Sequence, residues 1–98
     1  MLFEYDKGDM LRTVATFTNA ASGLSAIPST VVFRFMNPAG QVSTYRYGDN
    51  ASVAALASNA FVVEHPLDAS GDWHVRVEGL GTNAAADEFS IYVKDSEF

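Results

Sequence analysis

Hydrophobic and polar positions alternate with a period of two along most of this chain. Between Met10 and Phe17, the set Leu11, Thr13, Ala15 and Phe17 interleaves with Arg12, Val14 and Thr16, which predicts a half-buried strand after the turn Lys7-Gly8-Asp9. Thr13 interrupts the apolar side of that stripe. Between Thr30 and Phe35, Val31, Phe33 and Phe35 alternate with Val32 and Arg34, and Asn37-Pro38-Ala39-Gly40 supplies a turn. Gln41 to Tyr47 then sets Ser43, Tyr45 and Tyr47 on one face and Val42, Thr44 and Arg46 on the other, as an edge strand or the second strand of a hairpin would.

Gly48-Asp49-Asn50 ends that hairpin. Ala51 to Ser58 is the one stretch with helical propensity, but eight residues are too few for a helix to stand alone, and a crossing loop with about one turn is expected. Ala60 to His65 resumes the alternation with Phe61 and Val63 inward, and Pro66, which has no N–H for a ladder, halts it. Trp73, Val75 and Val77 alternate with Asp72, His74, Arg76 and Glu78 until Gly79-Leu80-Gly81 breaks the run. Phe89, Ile91 and Val93 repeat the pattern against Ser90, Tyr92 and Lys94.

With an N-terminal strand over Leu2 to Asp6, about seven short antiparallel strands result, spaced as in an all-β sandwich. The ten Gly and Pro residues stand almost wholly at the predicted breaks, so turn chemistry and periodicity agree. The shared core is expected to hold Phe33, Phe35, Trp73, Val75, Phe89 and Ile91. A chain of 98 residues without cysteine buries roughly 60 to 65% of its unfolded surface, enough for one modest core, so residues 1–98 read as a single domain.

Charge narrows the partners. The formal charge is −6 and lies wholly in the second half, where eight acids face only Arg76 and Lys94. Nucleic acid and anionic membranes call for clustered Lys and Arg, and neither partner is expected. Met1-Leu2-Phe3-Glu4-Tyr5-Asp6 lacks a basic region followed by an apolar one, and no apolar run approaches about 18 residues, so neither secretion nor a membrane span is expected. The absence of cysteine fits synthesis in a cytoplasm.

Two resemblances add to this reading. Leu67-Asp68-Ala69-Ser70-Gly71-Asp72-Trp73-His74-Val75 resembles the corner leading into the F strand of immunoglobulin-like domains, with Trp73 where tyrosine is more common, as in bacterial Ig-like domains with a Gly-x-Trp-x-Val pattern. Tyr5-Asp6-Lys7-Gly8-Asp9, Arg12, Thr16-Phe17-Thr18, Asn37-Pro38-Ala39-Gly40, Tyr45-Arg46-Tyr47-Gly48 and Gly71-Asp72-Trp73-His74 together resemble small Ig-like structural proteins of tailed bacteriophages. That resemblance implies an immunoglobulin-like sandwich. It also implies a virion component made in the bacterial host cytoplasm, most simply a capsid decoration or cement protein contacting other virion proteins or further copies of itself. The other role it leaves open is a tail- or surface-borne adhesion module binding host carbohydrate through Tyr45, Tyr47 or Tyr92.

Catalytic and metal chemistry find little footing. His65 and His74 supply at most two of the three or four ligands of a zinc site, no serine sits in Gly-x-Ser-x-Gly, and neither Asp6 with Asp9 nor Asp68 with Asp72 has the density of a calcium loop. No enzyme activity, cofactor or metal is expected. What remains is contact: Phe3, Tyr5, Tyr45, Tyr47 and Tyr92 fall on edges, termini or outer faces and are the expected interface residues.

Overall fold

The computed structural model describes residues 4–17, 28, 30–49, 52–57, 59–81 and 85–95. These form the strands β1 (Glu4–Asp6), β2 (Met10–Thr16), β3 (Thr30–Met36), β4 (Val42–Arg46), β5 (Ala54–Ala57), β6 (Ala60–Pro66), β7 (Gly71–Leu80) and β8 (Ala85–Lys94), with no helix among the described residues. One sheet has the order β1-β8-β7-β3-β4 and the other β2-β6-β5. The inward residues of both sheets, among them Leu11, Phe61 and Val63 from one and Val31, Phe33 and Trp73 from the other, form one core cluster in a sandwich-like arrangement. The alternation read from the sequence is thus the alternation of the two sheet faces.

The order of strands follows from how the chain turns. After β1 the turn Lys7-Gly8-Asp9 carries it from one sheet to the other: the Lys7 N–H still bonds the Lys94 carbonyl at 2.9 Å, while the Gly8 N–H reaches the Leu67 carbonyl at 2.8 Å. β1 therefore cannot form a hairpin with β2. It attaches to the free edge of β8 and runs parallel to it, Glu4 opposite Tyr92 and Asp6 opposite Lys94, which corrects the expectation of a wholly antiparallel set. The expected N-terminal strand began at Leu2; Leu2 and Phe3 lie outside the described residues.

Three further expectations change. Ala54–Ala57, expected in a crossing loop, is strand β5: it pairs antiparallel with β6, with a register shift between Ala55 and Ala57. Local helical preference is worth only tenths of a kcal/mol per residue, whereas pairing on the exposed edge of β6 and burying Val53 against the core are gains that only the assembled sheet offers. Ala51 and Ser58, which bounded that loop, lie outside the described residues. Strand β7 also runs on through Gly79 to Leu80. Gly79 occupies an inward position between Val31 and Ala85, and a Cβ there would come within 2.5 Å of the Phe17 ring, so the glycine is a seat for Phe17 within the strand rather than a break in it.

Phe89 is the third. It stands on the inward register opposite buried Val75, yet it is 38% exposed and does not join the core. Among the described residues β1 pairs with β8 only from Tyr92 to Lys94, and a sheet of three strands set against one of five leaves inward positions of the wider sheet less covered. The remaining expected core residues, Phe33, Phe35, Trp73, Val75 and Ile91, are all buried.

The corner before β7 has its own logic. Gly71 has φ of 125°, and a Cβ there would lie 2.8 Å from Pro38, so both the turn and the close approach of the β3–β4 loop require glycine. Two residues later the buried Trp73 donates its indole N–H to the Ala69 carbonyl at 2.9 Å. The aromatic that fills the core thereby also ties the corner.

Candidate functional site

The outer face of the five-stranded sheet carries most of the polar side chains that could act. In one row across β8, β7 and β3 stand Ser90, His74 and Met36, and Val42 of β4 continues it. In the next stand Glu88, Arg76 and Arg34. Arg34 directly opposes Arg76, a placement that repels. Glu78 resolves it. Its carboxylate accepts from Arg76 Nε at 2.7 Å and from Arg34 Nη1, while Arg76 Nη1 also donates to Glu88. The hydrogen bond from Arg76 is the main reason the Glu78 carboxyl is held below its usual range, and the same bond, with that to Glu88, raises the guanidinium.

An open groove of about 460 Å³ runs over this face, lined by Arg34, Met36, Val42, His74, Arg76, Glu88 and Ser90. Its charges alternate in sign and satisfy one another, which makes it a surface for contact more than a trap for one ion. His74 Nδ1 lies 2.8 Å from Ser90 Oγ. Both are exposed, and among the described residues no carboxylate hydrogen-bonds the other ring nitrogen, as an activated serine would need.

Between the sheets lies a second constellation. His65, inward on β6, stacks on Phe35 with ring centroids 4.6 Å apart, meets Trp73 edge-on at 5.5 Å, and hydrogen-bonds the Tyr45 hydroxyl through Nδ1 at 2.7 Å. Burial pushes its imidazole below the ordinary value, partly offset by the Asp68 carboxylate. A neutral imidazole suits this aromatic cage, and its hydrogen bond joins β4 of one sheet to β6 of the other. The histidine is a structural pin.

The expected interface residues are thus divided. Phe3 lies outside the described residues. Tyr5 and Tyr45 turn inward and pack against the core. Tyr47 is 40% exposed, its ring held edge-on to Phe61 at 5.0 Å, and Tyr92 is 41% exposed on the outer face of β8. Four sheet positions separate β8 from β4, counting both, so Tyr92 and Tyr47 share no platform. The acidic turns have structural work: Asp9 accepts the Asp6 N–H at 2.9 Å, and Asp6 lies 3.5 Å from Lys94 Nζ.

Aromatic counting missed the larger exposed apolar groups, Met10, Val14, Met36, Val42 and Leu56. Val14 and Val42 were visible in the alternation as apolar residues on the polar side of their strands. Among the described residues no three His, Asp or Glu side chains gather to hold a metal ion, and no helix is long and apolar enough to cross a membrane. No family model and no curated protein matches the chain.

Proposed function

We propose that this chain is a non-enzymatic structural module of a bacteriophage virion, a capsid decoration or cement protein that stabilises the head through contacts between its sheet faces and neighbouring subunits. The observation that carries the contact reading is the division of labour on the surface. On the five-stranded sheet the polar groups are bound to one another in Arg34-Glu78-Arg76-Glu88 and His74-Ser90, while large apolar side chains stand exposed on both outer faces. A surface of that kind gains free energy by being covered.

The immunoglobulin-like part of the proposal rests on strand order. Matching β2 to β8 in chain order with strands B, C, C′, D, E, F and G of a variable-type domain gives G-F-C-C′ for one sheet and B-E-D for the other, with β1 beside G. The Trp73 indole bond to the backbone upstream plays the part of a corner tyrosine. The virion part rests on the resemblance to small phage Ig-like proteins. Glycan adhesion through Tyr45, Tyr47 and Tyr92 draws less support, because Tyr45 is turned into the core and the other two stand far apart on the sheet.

The test is to locate and count the chain in purified particles by cryo-electron microscopy and to heat particles that lack it. A cement protein occurs in hundreds of copies on the capsid lattice, and its loss lowers the temperature at which heads rupture. Absence from particles refutes the virion role; presence on the tail alone, with heads equally heat-stable, refutes the cement role.

A further inference from the structure

The outer face of the three-stranded sheet differs from the rest of this acidic surface. β2, β5 and β6 together carry one arginine and one glutamate, Arg12 and Glu64, and these stand directly opposite each other in the β2–β6 register. The face is locally neutral in a chain of net charge −6. On either side of that charged row lie apolar ones: Met10 opposite Pro66 at one end, and Val14, Val62 and Ala54 in line across all three strands, followed by Thr16 opposite Ala60. Met10 and Val14 are exposed, as are Arg12 and Glu64. Neither charged group takes part in an ion pair among the described residues.

We propose that this face binds a second copy of the same chain, the two three-stranded sheets packing face to face about a two-fold axis that runs along the strands between β2 and β6. The self-complementarity is geometric. Rotation about such an axis exchanges the β2 and β6 sides while keeping each row at its own height, so Arg12 of one copy meets Glu64 of the other and the reverse, Met10 meets Pro66, and Val14 meets Val62. Both charged rows are then paired inside an apolar surround, and strand directions stay aligned as stacked sheets prefer. No other orientation of these two faces pairs both charges and stacks the apolar rows together.

Size sets the strength. With the axis between β2 and β6, these two strands of seven residues face β6 and β2 of the other copy over about 23 by 10 Å, so the two faces bury well under the roughly 1,200 Å² of a stable complex. The dimer is therefore weak in dilute solution and forms where copies are held near one another. The like charge of the rest of the molecule adds to this, which makes association strengthen with salt as long-range repulsion is screened.

Sedimentation equilibrium on the purified full chain, from micromolar to millimolar, tests it without reference to any virion role. Wild type is expected to show a monomer–dimer equilibrium at high concentration. Arg12→Glu and Glu64→Arg each set like charges face to face and weaken it at least about tenfold, and the double exchange R12E/E64R restores it. All variants should keep the wild-type near-ultraviolet circular dichroism of Trp73, since both sites are exposed. A wild type that stays monomeric at millimolar concentration overturns the proposal, and so does a dimer indifferent to the single reversals or not recovered by the exchange.

Discussion

The two sheets of this protein have opposite outer faces. On the five-stranded sheet, Arg34, Glu78, Arg76 and Glu88 form a chain of alternating charge across β3, β7 and β8, and His74 bonds Ser90 beside it. On the three-stranded sheet the outward side chains are mostly Val, Ala, Met and Pro, and Arg12 and Glu64 make no ion pair among the described residues. The inner faces differ too. Among the described residues Trp73, Phe33 and Phe35, the largest fully buried side chains, all come from the five-stranded sheet, while the opposite sheet offers Phe61 with the smaller Leu11, Val63 and Ala15, and also the one buried side-chain polar atom without a partner, Thr13 Oγ1. One sheet thus supplies the heavier core and a finished polar surface, and the other, among the described residues, leaves a buried hydroxyl without a hydrogen bond and two exposed charges without an ion pair.

The largest break in this comparison is Trp73→Ala. Removing the indole leaves a cavity in the heavier half of the core and frees the corner bond to Ala69, at a cost of about 3 to 5 kcal/mol, near the whole stability of a small domain. Denaturant titration followed by far-ultraviolet circular dichroism measures it, and a midpoint unchanged from wild type would refute the central place given to this residue. Next comes Gly79→Ala, which drives a methyl into the Phe17 ring and should cost about 1 to 3 kcal/mol. Adding Phe17→Leu to that variant should recover part of the loss, because the three atoms nearest the new methyl all belong to that ring.

Thr13→Val acts in the other direction. It replaces a buried hydroxyl that has no hydrogen bond with a methyl of similar shape, and should stabilise the protein by about 1 kcal/mol by removing a desolvation cost. Equal or lower stability would mean that the threonine serves a contact other than packing.

The smallest effects sharpen the comparison by separating its parts along the pH scale. His65 binds its proton less readily in the folded protein than at its ordinary value near 6.5, so the unfolded chain gains protons first and stability declines as pH falls below about 6.5. Glu78 is held below its ordinary value near 4.5, so its contribution persists at neutral pH and is lost only as pH falls below that. Unfolding free energy measured from pH 7 downward should therefore fall in two windows. His65→Gln should flatten the upper one and leave the lower, Glu78→Gln the reverse, and added salt should weaken the exposed network more than the buried pin.

Much of the fold was legible in the sequence. Six strands lie where period-two alternation placed them, because a strand half buried in a sheet must show water one side of its residues and the core the other. Gly71 and Trp73 marked their corner for the same local reason: φ and packing at a turn restrict which residues fit. The site was less legible. Of the exposed aromatics expected at an interface, Tyr5 and Tyr45 face the core, since alternation says that a strand has two faces but not how far the opposing sheet reaches.

What the sequence determined by itself was therefore which residues share a face and where the chain turns. Tertiary structure decided which strands became neighbours, and from that the rest: Ala54–Ala57 extended on the edge of β6 against its own propensity, Phe89 left part exposed on an inward register of β8, Arg34 set against Arg76 from 42 positions away with Glu78 between them, and Tyr45 bonded to His65 across the sheets. Each depends on a pairing between distant segments, and the free energy of such a pairing belongs to the closed sheet rather than to any window of sequence that could be read alone.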